Sequence, residues 1–233
     1  MQNRPIRNMN MSAVASRAGG YAQPVDSATA ANVLKNTYWL LALTLAFSAF
    51  TAFLSMGMAL NPVVHYGALI GAMVISFVIH KVANSGWGIV LAFAFTGLLG
   101  LTIGPIVGFY ISAGAANTVT TALGLTAFAF FGLSGFALMS KKDFSFLSSF
   151  LAVGFWVIVG AFVISLFVQT SAFALAISAA IVLFASAAIL YETSAIVHGG
   201  QTNYILAAVS LYASIYNLFM SLLHLLMAFA GDE

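Results

Sequence analysis

Seven apolar runs constrain this chain more than any motif in it. They lie at about residues 38–60, 63–80, 87–110, 118–139, 146–169, 172–191 (with a helical continuation to about 197) and 204–230. A spanning helix needs roughly 20 apolar residues, and backbone that crosses hydrocarbon must satisfy its own hydrogen bonds. Runs of this length joined by short polar links therefore predict an all-α polytopic membrane protein, a seven-transmembrane-helix bundle. Composition agrees, since 62% of residues are hydrophobic and 5% are charged, against about 25% charged in ordinary soluble domains. The formal charge of +2 arises mostly from arginines near the N-terminus and makes no basic face, so nucleic acid is not an expected partner. Cysteine is absent, which removes disulfides, thiol nucleophiles and thiolate metal sites.

Residues 1–30, including Arg4, Arg7, Arg17, Gly19, Gly20, Pro24 and Asp26, are polar, small and aperiodic. Such a segment buries too little surface to order itself, so it is read as a flexible tail, with 31–233 as the membrane domain. A signal peptide would carry its apolar region directly after the basic residues. Here that run waits until Tyr38, and the tail is expected to be retained. Lys35, Asn36 and Thr37 form a polar entry to the first span, and Tyr38 and Trp39 suit the interfacial belt.

The links alternate in charge. Arg4, Arg7, Arg17 and Lys35 precede the first span, Lys81 follows the second, and Lys141 and Lys142 follow the fourth. The links at Asn61-Pro62, Ser112 to Asn117 and Thr170-Ser171 carry none, and the link His198 to Asn203 lacks lysine. The positive-inside rule puts the N-terminus in the cytoplasm and, after seven crossings, Asp232 and Glu233 outside.

Helices in a bilayer associate through close packing of small residues and through polar contacts. The third run has Gly97, Gly100, Gly104 and Gly108 at helical spacing, with Pro105 inside it. Gly124, Gly132 and Gly135 in the fourth run, and Ala185, Ala187 and Ala188 in the sixth, also permit close approach. Two polar stripes stand out: Thr44, Ser48, Thr51 and Ser55 on the first span, and Ser210, Ser214, Asn217, Ser221 and His224 on the seventh. Ser and Thr hydroxyls commonly return a hydrogen bond to their own helix. An amide does not satisfy itself so readily, so Asn217 is expected to face another helix or a wet cavity.

Glu192 is the one acid set within the apolar runs. About six residues before Gly199, it sits roughly 9 Å inside the end of its span. An ionised carboxylate at the bilayer centre costs about 3 kcal/mol on insertion scales, so it should face the bundle interior, a partner or water. It reads either as a buried acid fixing the register of spans six and seven, or as a titratable gate or ion ligand whose protonation its surroundings control. The antiparallel return of span seven brings Tyr212, Ser214 and Asn217 toward its level as candidate partners.

Enzymatic readings fare poorly. Gly132-Leu133-Ser134-Gly135 matches the GxSG pattern of rhomboid proteases, but four such residues recur by chance in a Gly- and Ser-rich span, and no histidine lies in the sixth span to serve as base. An aspartyl intramembrane protease needs two carboxylates sharing a proton. A retinal Schiff base would need a lysine in the seventh span, which has none. His65, His80, His198 and His224 are scattered near span ends without ligand spacing, so neither a metal nor any other cofactor is expected.

Four stretches together carry a resemblance: Gly88 to Gly97 with Gly104-Pro105; Lys141-Lys142-Asp143-Phe144-Ser145-Phe146-Leu147; Leu190-Tyr191-Glu192-Thr193; and Asn203-Tyr204-Ile205 to Ser210-Leu211-Tyr212. In this order, over about residues 31–230, the chain resembles the Bax inhibitor family of seven-helix membrane proteins, and within it the bacterial YccA-like subgroup. The wider family implies a pH-sensitive calcium leak channel, responsive to protons and calcium ions, with an acid in the sixth span and another in the seventh. The first matches Glu192 and the second falls on Ser214, so the pair is broken; one carboxylate cannot share a proton with another or make a divalent site alone. The subgroup implies instead a protein of the bacterial inner membrane that modulates the membrane-anchored, ATP-dependent FtsH protease. On that expectation the tail, with Arg4, Arg7 and Arg17, engages the protease, and the bundle resists extraction.

Overall fold

The computed structural model describes residues 27–58, 62–140 and 142–230. The expectations for Arg4, Arg7, Arg17, Lys141, Asp232 and Glu233 lie outside these residues. Seven helices make up the described chain: α1 (Ser27–Ser55), α2 (Pro62–Val82), α3 (Gly86–Ser112), α4 (Ala116–Met139), α5 (Leu147–Ser165), α6 (Ser171–Val197) and α7 (Tyr204–Ala230). All seven are long and apolar enough to cross a membrane, and no strand occurs among the described residues.

Helix ends depart from the apolar runs where hydropathy and helicity are different things. The first helix begins at Ser27 rather than near residue 38, so residues 27–30 are helix and not tail. Alanine is the best helix former, and this stretch supplies Ala28, Ala30 and Ala31. Val33 and Leu34 pack on the core and Thr37 is buried, while Asn32, Lys35 and Asn36 point outward. Polar residues thus lowered the hydropathy there without interrupting the helix. At its other end α1 stops at Ser55 rather than near 60, where Met58 N–H bonds the Ser55 carbonyl in a turn through Gly57. The fifth helix ends at Ser165 rather than near 169, because the chain must straighten for Thr170 to cap α6, its Oγ1 accepting from the Phe173 N–H at 3.4 Å.

The central helix is α7, which packs against α1, α3, α4 and α6. The second helix leans on α3, and α5 leans on α6 with no residue of its own fully buried. The tightest seam joins α1 to α3. A Cβ at Gly100 would overlap the Thr51 hydroxyl and the Ser48 carbonyl, one at Gly104 the Ser55 hydroxyl and the Ala52 carbonyl, and one at Gly108 the Met56 carbonyl. The glycine ridge of α3 and the hydroxyl stripe of α1 are therefore two sides of one contact, in which small residues let two backbones approach closely. By contrast Gly124, Gly132 and Gly135 on α4 have open space where a Cβ would go.

Candidate functional site

The site begins at the last turns of α6, which carry three polar residues in succession. Successive helical positions turn about 100°, so the three side chains cannot share a neighbour. Glu192 meets the Ser214 hydroxyl of α7. Thr193 Oγ1 lies 3.2 Å from Ser134 Oγ of α4. Ser194 Oγ accepts the Phe144 N–H at 3.0 Å, fastening the α4–α5 link. Less than one turn of helix thus holds α7, α4 and the following link. His198 closes this end, its Nδ1 lying 3.0 Å from the Ser194 carbonyl, and Gly199 at φ 76° reverses the chain in the left-handed conformation that glycine tolerates best.

Glu192 is half-buried as a residue, but its Oε2 is enclosed and has no partner. A buried unpaired polar atom costs about 1–3 kcal/mol, so this oxygen is where a proton or a cation would be satisfied. Among the described residues no three His, Asp or Glu come together.

The structure brings Ser214, but not Tyr212 or Asn217, to Glu192. The Tyr212 side chain leaves α7 on another side, toward α1 and α3. Its hydroxyl lies 2.5 Å from Ser48 Oγ and donates to the Thr96 carbonyl at 3.3 Å. One turn later the Tyr216 hydroxyl meets Thr102 Oγ1 at 2.9 Å. Asn217 is exposed and donates its Nδ2 to the Ala213 carbonyl at 2.9 Å, so the amide is served by its own helix. The i−4 carbonyl offset the cost that was expected to turn it inward. His224, at the end of the same stripe, places Nδ1 2.7 Å from Ser178 Oγ of α6.

On α1, Thr44, Thr51 and Ser55 bond back to their own helix, and Ser48 alone reaches across. Asn203 was prominent in sequence only as part of a longer match, yet it ties two links together. Its Oδ1 accepts from the Ile205 and Leu206 N–H groups at the start of α7, and its Nδ2 donates to the Ala83 carbonyl and to Asn84 Oδ1. An Asn just before an apolar run is a helix-start signal; the cross-link to Ala83 has no sequence signature.

Comparison with known proteins places this architecture. The chain is 51% identical over 202 residues to an uncharacterised protein of Pseudomonas aeruginosa, covering 86% of this chain and 91% of that one. It is 50% identical over 194 residues to the Escherichia coli K12 protein named Modulator of FtsH protease YccA, covering 83% and 89%. The counterpart in another Escherichia coli strain, equally similar, is named Inner membrane protein YccA. Residues 30–231 match the family described as Inhibitor of apoptosis-promoting Bax1, which spans all seven helices save the first residues of α1, and the chain belongs to that Bax inhibitor family.

Proposed function

We propose that this protein modulates a membrane-anchored ATP-dependent protease of the FtsH type, acting as a slowly processed substrate of the bacterial inner membrane. The observation that carries this reading is 50% identity, over 83% of the chain, to a protein named for that role. With the N-terminus in the cytoplasm, as the lysine and arginine distribution favours, residues 1–26 precede α1 and offer the protease an end to seize. Arg4, Arg7 and Arg17 are the engagement candidates within it. A pull on that end loads α1 first, and the second half of α1 is held by the glycine ridge of α3 and by Tyr212 of α7. Resistance at this first step keeps the protease occupied.

The test is deletion of residues 2–26, which leaves α1 intact, in cells carrying a reporter substrate of the protease. Loss both of the protein's own turnover and of its effect on the reporter is expected. Unchanged inhibition without the tail would sink the reading.

A second reading is a proton-sensitive cation leak at Glu192, favoured by the enclosed, unpartnered Oε2. Calcium flux into liposomes should then depend on pH in the wild type and lose that dependence in Glu192→Gln. Equal, pH-indifferent flux in both removes Glu192 as a gate.

A further inference from the structure

A cavity of about 530 Å³ lies between α1, α3, α4 and α7, within the roughly 300–1,000 Å³ of small-molecule sites. Val107, Phe130 and Phe219 are among its buried walls, and Phe53 of α1 with Leu123 and Phe131 of α4 stand at its exposed rim. The rim is a gap between α1 and α4, which pack more closely on α7 than on each other and meet where the Tyr38 ring lies 6.1 Å from that of Phe130. Along α4, Leu123 and Phe131 lie roughly 10 and 22 Å from the helix start at 1.5 Å per residue, so the mouth faces the hydrocarbon layer of about 30 Å.

The polar atoms of the wall decide what can enter. Ser48 gives its hydroxyl hydrogen to Tyr212, Tyr212 donates to the Thr96 carbonyl, Tyr216 bonds Thr102, and Thr126 donates to the Ala122 carbonyl at 2.7 Å. Thr102 donates onward to the Leu99 carbonyl, so the Tyr216 hydrogen is the one shared between those two oxygens. Every hydroxyl hydrogen of the wall is spent within the protein. A water needs two to four polar partners to stay in a cavity, and apolar cavities remain dry. No hydroxyl donor is left for the phosphate or ester oxygens of a headgroup, whereas alkyl chain is the solvent at the mouth.

We propose that this cavity is a lipid-tail site, in which one acyl chain of a bilayer phospholipid passes between α1 and α4 and lies against Val107, Phe130 and Phe219. Its occupancy completes the packing of α1 on the side that flanks the glycine seam, where Ser48, Ala52 and Met56 border both.

The experiment uses the full chain in nanodiscs doped with a phospholipid carrying a diazirine midway along one acyl chain. After irradiation the adducts are mapped by peptide mass spectrometry. Labelling of the wall residues Ile103, Val107 and Phe219, the last two buried, is expected. Ala127→Phe, which places a ring in the passage between α1 and α4, should lower that labelling several-fold. Ala180→Phe, at an exposed position of α6, should not change it. Ala49→Phe, filling from α1, is a second variant should the first fail to fold. Absence of adducts on the wall, or equal labelling in the filled variants, overturns the proposal. A parallel sample with a diazirine free fatty acid separates the sources, and wall labelling by that probe alone also overturns it.

Discussion

The Ser214 hydroxyl on α7 stands beside the carboxyl of Glu192 on α6, whose Oε2 is enclosed with nothing to bond. A divalent ion wants several oxygens, and one carboxylate with a hydroxyl is too few. Ser214→Asp supplies the missing acid. Millimolar calcium should raise the unfolding temperature of S214D by about 4 °C or more, as expected for a ligand well above its dissociation constant. The wild type should stay unmoved in the same scan; an equal shift there would mean that the lone carboxylate already holds the ion.

Gly104 and Gly132 look alike in sequence and differ in surroundings. Gly104→Ala drives a methyl into the Ser55 hydroxyl and the Ala52 carbonyl and should cost about 2 kcal/mol or more. Gly132→Ala meets open space and should be neutral or stabilising by up to about 1 kcal/mol. Unfolding in detergent, run on both variants, gives the comparison, and equal losses would contradict the seam.

Tyr212 and Ser48 form a bond across the bundle, so their substitutions should not add. Tyr212→Phe and Ser48→Ala, alone and combined, should show a coupling energy of about 0.6–1.7 kcal/mol. Strict additivity in that cycle would show that the bond is not formed in the folded protein.

Asn203 does two jobs with two ends of one amide. Asn203→Asp keeps an oxygen for the Ile205 and Leu206 N–H groups but loses both donations to the α2–α3 link. It should therefore retain α7 while opening that link to protease. Asn203→Ala should lose the cap as well, at about 1 kcal/mol. Limited proteolysis near Ala83, together with the unfolding temperature, separates the two losses.

The number of helices could be read in the sequence because hydrocarbon demands runs of a set length, and no soluble alternative fits. Helix ends could not, since hydropathy dips at Lys35 and Asn36 while the backbone stays helical on the strength of alanines and of Val33 and Leu34 against the core. The stripe on α1 was visible as a face, but whether a hydroxyl bonds back or across depends on what stands opposite. Only Ser48 has a tyrosine hydroxyl there. Glu192 was conspicuous as an acid among apolar residues, whereas Thr193 and Ser194 are ordinary helix residues until rotation by 100° sends each to a different neighbour. The Asn217 expectation failed for a local reason, the availability of the Ala213 carbonyl.

The bond between Ser48 and Tyr212 joins residues 164 positions apart, one in the first helix and one in the last. At roughly 5–20 residues per second of synthesis, some ten to thirty seconds pass between their appearances. For that interval Ser48 has only its own helix to bond, as Thr44, Thr51 and Ser55 do, and the bond across the bundle waits for α7. Arrival of α7 and closure of α1 upon it are thus a single event in time, and a later part of the protein decides when an earlier part is finished.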